Sequence, residues 1–370
     1  MKKLLYSFMF IMSVLPAAAQ DCLGYYYDYN NHFYVFDKGN NVQLESSHVD
    51  SVRAGNDYLA YIDFKGNLRG YFNGETQTLE EAIPSSMKAT AHAMVYKMQV
   101  RLMIFENGKT KQLASSVTRF FAGDDIVVWQ AYPSLDILAY EKGEIKIIEE
   151  AVSTKAINNG KAGKNIFAYS DLSFNFKVYF NGTDYDTQSS NIYNYQCGKN
   201  TVAYLDKFNN LFNVFYKGEV KTISNVLPLS YTVADDMVSY VDAGNNFMVY
   251  YKGEPIKIES YVPAKYKVLN NIIIYYNKPE LKLFYGGKVF VLENFIDQPD
   301  TLQVGISSAL YLDNNKRAKY FYKGKIVDNF LIEPAKKIEL YRDLPVLNYG
   351  NNNIGFLYNG KLYEYETNVN

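Results

Sequence analysis

The sequence predicts an all-β fold built from about ten copies of one short repeat. A glycine closes a tight turn between two short strands ten times along the chain, and successive turn glycines are 34 to 39 residues apart. A period of roughly 20 to 50 residues is typical of solenoids, propellers and arrays. The strands beside the turns are rich in aromatic residues, since the chain has 36 Tyr and 23 Phe but one Trp. The turn glycines are Gly39, Gly74, Gly108, Gly143, Gly182, Gly218, Gly253, Gly287, Gly324 and Gly360.

Each repeat contains four short strands, which we name A to D. In the seventh repeat they are predicted at 231–234, 237–241, 247–251 and 256–258. Asn-Gly or Lys-Gly joins C to D in most repeats, and Asn-Gly is a strong hairpin signal because both central residues of a type I′ turn need positive φ. The pattern therefore predicts antiparallel hairpins throughout.

An aspartate ends strand B in six repeats. Its carboxylate is expected to accept bonds from backbone amides two residues further on and so to start the B–C turn. A rim of carboxylates that collects cations is the alternative interpretation. The six residues are Asp28, Asp63, Asp171, Asp206, Asp242 and Asp313.

Strands B and C are apolar on consecutive residues, as at 272–276 and 249–251. Unbroken apolar runs indicate that both faces of a sheet are covered. A unit of about 35 residues is too small to fold alone, so neighbouring repeats must supply the cover. Four-stranded sheets stacked face to face around an axis form a β-propeller, whereas a β-solenoid would need parallel stacking.

The repeat pattern alone does not decide how many propeller rings the chain forms. No Pro/Ser-rich linker separates repeats 5 and 6, which favours a single ring of about ten blades, although such a ring implies a wide central channel. Two five-bladed propellers are the alternative. The first repeat begins with strand B at 25–27 and lacks strand A, so we expect blade faces, and not an exchanged strand, to close the ring at its weakest seam.

The amino-acid sequence of one repeat is similar to the repeats of a known family. Residues 234–242 read Ala-Asp-Asp-Met-Val-Ser-Tyr-Val-Asp, and 249–253 read Val-Tyr-Tyr-Lys-Gly. This phrasing resembles the blades of TolB-like propellers, and it recurs through nearly all of the chain after the N-terminal segment. The Ser-Pro-Asp-Gly turn and the closing Leu-Thr of that family are absent here. The resemblance therefore implies the propeller architecture and no particular partner or activity.

The N-terminal segment has the features of a secretory signal peptide. Lys2 and Lys3 precede an apolar run at 4–15, and 17–19 is a run of three alanines suited to cleavage. We expect residues 1–19 to be removed and 20–370 to form the propeller, in the periplasm or outside the cell. The apolar run is too short to span a bilayer, and no later segment is long enough, so no membrane span is expected.

The cysteines and the charges argue against a lipoprotein, a disulfide-bonded scaffold and a nucleic-acid-binding protein. Gln20 and Asp21 precede Cys22 where a lipoprotein needs small residues, so no lipid anchor is expected, and Cys22 and Cys197 lack the spacing of a disulfide framework. With 38 basic and 39 acidic residues and no charge run, the chain does not resemble a nucleic-acid binder.

No motif for catalysis, a cofactor or a metal is present. His32, His48 and His92 fall at unrelated phases of three repeats, and the chain has no nucleophile elbow, phosphate loop, zinc motif or calcium loop. We therefore predict no catalytic, cofactor-binding or metal-binding residues. An acid and a base contributed by different blades at the channel mouth would leave no motif, so a hydrolase or lyase stays an alternative.

The function predicted is a monomeric, non-enzymatic interaction module that binds a protein or peptide. The rim that carries the B–C turns and the D–A connections is its expected binding surface. Trp129 and Tyr132 are the candidate partner-binding residues, because Trp is a favoured anchor and the turn at 130–134 departs from the Asp-led pattern. Packing between blades is the alternative for Trp129, whose phase is Tyr in most repeats. A lectin-like glycan binder is a further alternative, although the aromatics repeat within strands and not in rim loops.

Overall fold

The computed structural model describes residues 23–150, 156–297, 301–328, 330, 333–350 and 352–367. These residues form ten antiparallel sheets in which the strands follow chain order. Nine sheets have four strands and the first has three described strands, and the residues before Leu23, where its strand A would lie, are outside the described ones. The predicted signal peptide at 1–19 and Cys22 lie outside the described residues.

Among the described residues, blades 1 to 5 contain nineteen short strands and one 3-10 helix. They are β1 (Leu23–Tyr27), β2 (Phe33–Asp37), β3 (Asn40–Glu45), β4 (Asp50–Ala54), β5 (Tyr58–Ile62), β6 (Leu68–Phe72), β7 (Glu75–Glu80), β8 (Ser86–Ala89), β9 (Ala93–Met98), β10 (Arg101–Glu106), β11 (Lys109–Ala114), β12 (Val117–Ala122), β13 (Val127–Ala131), β14 (Ile137–Glu141), β15 (Glu144–Glu149), the helix Ala156–Asn159, β16 (Lys161–Ala162), β17 (Ile166–Ser170), β18 (Asn175–Phe180) and β19 (Thr183–Ser190).

Blades 6 to 10 repeat the same arrangement. Their strands are β20 (Tyr195–Cys197), β21 (Thr201–Asp206), β22 (Leu211–Tyr216), β23 (Glu219–Ser224), β24 (Ser230–Ala234), β25 (Met237–Val241), β26 (Phe247–Tyr251), β27 (Glu254–Glu259), β28 (Lys265–Leu269), β29 (Ile272–Asn277), β30 (Glu280–Tyr285), β31 (Lys288–Glu293), β32 (Leu302–Val304), β33 (Ser308–Leu312), β34 (Ala318–Tyr322), β35 (Lys325–Val327), β36 (Ala335–Tyr341), β37 (Leu344–Tyr349), β38 (Asn353–Tyr358) and β39 (Lys361–Glu366).

The C–D turns have the predicted conformation in all ten blades. Asn73 and Gly74 have φ of 49° and 87°, and Lys217 and Gly218 have φ of 51° and 98°. Positive φ is uncommon for lysine. The Lys217 ammonium lies 5.1 Å from the ring centroid of Tyr216, so the lysine is held beside its own strand.

The core consists of ten apolar clusters, and each cluster joins two consecutive blades. Strands B and C supply most of their residues, because these strands are covered on both faces. The tenth cluster joins blade 10 to blade 1. The clusters therefore follow one closed circuit, which confirms the single ring of ten blades over two five-bladed propellers.

Polar contacts between blades accompany the apolar clusters. The Tyr275 hydroxyl donates to Glu259 of the preceding blade at 3.0 Å, and the Lys282 ammonium donates to the same carboxylate at 3.2 Å. In blade 4, Trp129 occupies the tyrosine position, and strand β11 of the preceding blade ends in Ala114 where β3, β7, β15, β27 and β31 end in glutamate. Indole offers no hydroxyl, so a buried carboxylate there would lose its donor. Equivalent pairs are Tyr61–Glu45, Tyr96–Glu80, Tyr169–Glu149 and Tyr311–Glu293.

Blade faces close the ring, as expected. Phe36 stacks on Phe356 of blade 10 with ring centroids 4.7 Å apart, and Tyr25 stacks on Tyr341 at 4.9 Å. An added side chain at Gly24 would overlap the Phe356 ring, so the two blades are in direct contact. That this seam is the weakest one stays a prediction.

Among the described residues, no helix is long and apolar enough to span a bilayer.

Candidate functional site: two unlike rims

Hydrogen bonds tie the A–B corners of neighbouring blades together. The Asp125 amide donates to the Lys164 carbonyl at 2.7 Å, and the Lys164 amide donates to the Gly198 carbonyl at 3.1 Å. Similar bonds join every consecutive pair from blade 2 to blade 10. The others are Asn56 to Ala91, Ala91 to Asp124, Asp236 to Lys199, Asp235 to Asn270, Asn270 to Gly305 and Ser307 to Asp343.

The corners approach too closely for side chains at some positions. A methyl group added at Gly163 would overlap the carbonyl oxygen of Gly198, which is fixed backbone. Gly123 and Gly305 meet the next blade in the same way. This rim is therefore a tightly bonded belt, and a partner could not enter between its blades without breaking it.

The channel mouth lies on the same rim. Residues from blades 3 to 8 line a cavity of about 290 Å³ there. Lys164 of blade 5 reaches Asp235 of blade 7 at 2.7 Å and Asn270 of blade 8 at 2.6 Å, and it lies 3.8 Å from Asp124 of blade 4. The sequence predicted a wide central channel for a ring of ten blades. At this mouth the channel is narrower than that, because the Lys164 side chain reaches residues of non-adjacent blades.

Charges at the mouth perturb one another. Burial raises the pKa of Asp235, and Lys164 opposes the rise. Burial lowers the pKa of Lys88, and Asp124 opposes that change. Two carboxylates do meet at the mouth, which is what the hydrolase or lyase alternative requires, but both contact the Lys164 ammonium. Asp124 also accepts the Ala91 amide at 2.7 Å, so both carboxylates already have partners within the fold.

The residues that the structure describes contain no group of three or more His, Cys, Asp or Glu side chains suited to a metal. Two of the histidines lie beside carboxylates of their own repeat. The His32 ring contacts Asp28 at 2.9 Å, and the His48 ring lies 3.9 Å from Asp50.

The opposite rim carries the B–C turns and the D–A connections. Asp242 Oδ1 accepts the Gly244 and Asn246 amides at 2.8 and 2.9 Å, and Oδ2 accepts the Asn246 side-chain amide at 2.8 Å. The Asn246 side chain lowers the pKa of Asp242 most, burial opposes it, and the backbone amides add to the lowering. The other five aspartates cap their turns likewise, which confirms the turn interpretation of these carboxylates.

Large apolar side chains are exposed along this rim. They occupy the B–C turns of blades 1 to 6 and several D–A connections, whereas the described A–B corners and C–D turns carry none beyond Leu269, which ends β28 at 45% exposure. In blades 7 and 9 the equivalent turns are polar, with Asn245 and Asn314. The exposed residues of this rim are Tyr29, Phe64, Ile83, Val100, Tyr132, Leu172, Phe174, Tyr193, Phe208, Val226, Leu229, Val262 and Phe295.

This pattern corrects one argument made from the sequence. Aromatic residues do repeat in the rim loops as well as in the strands, so that argument against a lectin-like function does not hold. A signal existed, because Tyr29, Phe64 and Leu172 directly follow the turn-starting aspartates. Exposure itself could not be read from the sequence, since the same residue types fill the core.

The two candidate partner-binding residues lie in different environments. Trp129 is 1% exposed and packs in the cluster between blades 3 and 4, which is the alternative role considered for it. Tyr132 is 61% exposed in the turn after β13, next to a cis peptide bond to Pro133. The structure therefore does not bring the two onto one exposed surface, and a role for Tyr132 in partner binding stays a prediction.

A cavity of about 360 Å³ opens on the same rim between blades 5 and 6. Tyr193 of the D–A connection and Phe208 of the B–C turn both line it. We call this cavity the notch. Its lining residues are Gln188, Ser189, Ser190, Asn191, Tyr193, Asn194, Leu205, Asp206, Lys207, Phe208 and Asn209.

A larger cavity of about 840 Å³ lies between blades 9 and 10. Asn314 ties its walls together, because its side chain donates to the Phe295 carbonyl at 3.1 Å and accepts the Asp297 amide at 3.1 Å. Asp313 is committed to its own turn. The lining mixes acidic and basic groups, namely Asp297, Asp313, Lys316, Glu333 and Lys336.

The ten-bladed ring agrees with a known protein family. The family described as "10-bladed beta propeller domain" matches residues 17–364. The chain belongs to this family. No curated protein matches the chain.

Solved structures are similar at low identity. The computationally designed Ika8 protein is 13% identical with a TM-score of 0.34, over 74% of this chain and 96% of that one. PorZ of Porphyromonas gingivalis is 9% identical with a TM-score of 0.28, over 91% and 57% of the two chains. The tricorn protease is 10% identical with a TM-score of 0.30, over 91% and 49%. These values are too low to carry a functional argument.

Proposed function

We propose that this propeller is an exported interaction module that binds a protein or peptide through the B–C rim of blades 1 to 4. One observation carries the proposal. Five large apolar side chains are more than half exposed on this part of the rim, and we call them the apolar arc. They are Tyr29 at 66%, Phe64 at 68%, Ile83 at 63%, Val100 at 52% and Tyr132 at 61% exposure.

The composition of the apolar arc suits a protein surface. Exposed apolar patches on soluble proteins mark interaction sites, and tyrosine and phenylalanine are enriched in interface cores. Ile83 and Val100 stand among the aromatics, and aliphatic side chains offer no ring to stack on a sugar. Ile83 also packs toward the turn of Phe64, since its Cδ1 is 3.8 Å from the position of a Cβ at Gly66.

The scaffold holds the arc in place before any partner arrives. Asp28 and Asp63 cap the turns that carry Tyr29 and Phe64, with bonds of 2.9 Å to backbone amides. Pre-ordered turns reduce the conformational entropy lost on binding. The bonded belt of A–B corners keeps the opposite rim rigid, which leaves the B–C rim as the face for display.

The test uses the mature chain 20–370 as bait in an extract of its own cell envelope. The partner must then be purified and its Kd measured against the wild type, Phe64→Ala and Tyr132→Ala. We expect each variant to weaken binding about tenfold or more, as anchor residues do. The matched control is Ile147→Ala, which removes a residue that is 56% exposed on the outer strand β15.

Three results would contradict the proposal. The arc variants could bind the partner as tightly as the wild type, Ile147→Ala could weaken binding equally, or the molecule whose binding the arc variants weaken could be a glycan. N-terminal sequencing of the protein from a periplasmic or culture fraction tests the export, because cleavage after Ala19 leaves Gln20 first. An activity lost in Asp124→Asn or Asp235→Asn would support the channel-mouth hydrolase or lyase instead.

A further inference from the structure

We infer that the notch between blades 5 and 6 binds a neutral saccharide. The site lies beyond the apolar arc and does not depend on the proposed protein partner. It combines exposed aromatic rings with side-chain amides that bond to no residue the structure describes, in a cavity on the display rim. Nothing in the packing of the propeller requires this combination.

Two aromatic side chains stand on the walls of the notch. Phe208 is 95% exposed and Tyr193 is 63% exposed. Each comes from a different blade connection, and both line the same cavity. Aromatic faces are suited to the C–H faces of pyranose rings, because their quadrupole leaves the face negative and the ring hydrogens of a sugar are weakly positive. Full exposure of Phe208 has no structural benefit that we can identify.

The floor between the rings is polar. The Gln188 and Asn191 side-chain amides bond to no described residue, although their backbone positions are fixed. The backbone N–H of Gln188 donates to Asp186 Oδ1 at 2.8 Å, and the backbone N–H of Asn191 donates to the Phe174 carbonyl at 3.0 Å. A side-chain amide both donates and accepts, which matches the paired donors and acceptors of vicinal hydroxyl groups.

Several other polar groups of the notch already have partners within the fold. Asp206 accepts the backbone and side-chain amides of Asn209 at 3.0 and 2.7 Å. Asn194 Oδ1 accepts the Tyr231 hydroxyl at 2.7 Å. Lys207 is the one basic residue in the lining, and Asp206 is the one acidic residue. A neutral ligand fits this balance better than an anion or a cation.

The notch lies beside an enlarged register shift in blade 5. Strand β19 has eight residues, and three of them are skipped between the partners of Asn175 and Lys177, where the equivalent shift in other blades skips one. Such an irregularity re-aims side chains and is common beside functional sites. Gln188, at the end of this strand, has φ of 57° and lines the notch. The volume of about 360 Å³ lies within the range of small-ligand sites, roughly 300–1,000 Å³.

An apolar peptide side chain would fit less well. It would leave the Gln188 and Asn191 amides without partners and desolvated, which is costly. A peptide is nevertheless an outcome that the experiment can show.

Saturation-transfer difference NMR on the mature chain tests the inference. The probes are maltotriose, cellotriose, mannotriose, chitotriose and lactose, with an unlabelled tetra-alanine peptide as the comparison. We expect transfer to the pyranose protons of at least one sugar. Phe208→Ala, Tyr193→Ala and Gln188→Ala should each weaken that binding about three- to tenfold, in the range of a lost ring contact or hydrogen bond.

The matched control is Phe295→Ala, which removes an aromatic residue that is 79% exposed in a rim loop outside both the notch and the apolar arc and should leave sugar binding unchanged. Thermal melts of all variants should coincide with the wild type, since these side chains are exposed. The inference fails if no probe sugar receives transfer, if the tetra-alanine peptide alone does, or if Phe208→Ala binds as well as the wild type. Because the arc and the notch use different variants, failure at one does not decide the other.

Discussion

Closure of the ring at the seam between blades 10 and 1 can be tested with Phe356→Ala. Phe356 is fully buried, stacks on Phe36 at 4.7 Å and lies near Tyr26 at 5.9 Å between ring centroids. Truncation leaves a cavity against the Gly24 backbone, which cannot collapse easily because the sheets on both sides are hydrogen bonded. Comparable Phe→Ala changes cost about 3–5 kcal/mol.

The reference for the loss of stability in Phe356→Ala is the variant Phe247→Ala, at the interface of blades 7 and 8. Phe247 is also fully buried and packs against Tyr266 and Tyr275 at 5.0 and 5.8 Å. In a closed ring that unfolds cooperatively, both variants lower the free energy of unfolding by about 3–5 kcal/mol. Phe208→Ala, at an exposed site, should stay within about 0.5 kcal/mol of the wild type.

The assay is urea denaturation followed by far-UV circular dichroism, with the free energy taken by linear extrapolation. Native-state hydrogen exchange adds the location, because locally weak regions open first. The seam has apolar contacts but no corner-to-corner hydrogen bond among the described residues, so blades 1 and 10 should exchange faster than blades 5 and 6. The reasoning is refuted if Phe356→Ala costs less than about 1 kcal/mol while Phe247→Ala costs about 3–5 kcal/mol. That result would describe an open ring.

Three further variants or treatments test other parts of the structure. Gly163→Ala should destabilise by about 1–3 kcal/mol or more in the same urea assay, because its methyl group would overlap the Gly198 carbonyl. Gly244→Ala should cost less, because its methyl group would meet only the side chains of Asn246 and Asp242, at 3.1 and 3.3 Å. Asp242→Asn should lower the free energy of unfolding at pH 7, and this loss should shrink as the pH falls below about 4. The reason is that a carboxylate whose pKa is lowered in the folded state stabilises the fold only while it is ionised. A loss of the same size at about pH 3 and about pH 7 would be evidence against this. Burial raises the pKa of the Cys197 thiol to about 12. Its alkylation by iodoacetamide at pH 8, followed by peptide mass spectrometry, should therefore be at least about a hundredfold slower in the native protein than in urea. Equal rates would show that the thiol is accessible in the native protein.

Several features could be predicted from the sequence because their causes are local. The Lys217–Gly218 turn needs positive φ at two adjacent residues, and the residues themselves show it. Asp242 caps a turn within four residues of itself. Consecutive apolar residues in strands B and C indicate cover on both faces wherever the neighbours lie. Together with the ten-fold period, these signals specify the blades and their stacking.

The rest depends on which surfaces meet after the ring closes. Trp129 and Phe208 are both aromatic residues in repeats of one pattern, yet one is 1% exposed and the other 95% exposed. Lys164 finds partners on blades 7 and 8 only because the ring brings distant corners together. The sequence by itself therefore determined the architecture, through periodic and short-range chemistry. Only the tertiary structure decided which side chains remain exposed for binding, because exposure depends on neighbours that are far away along the chain.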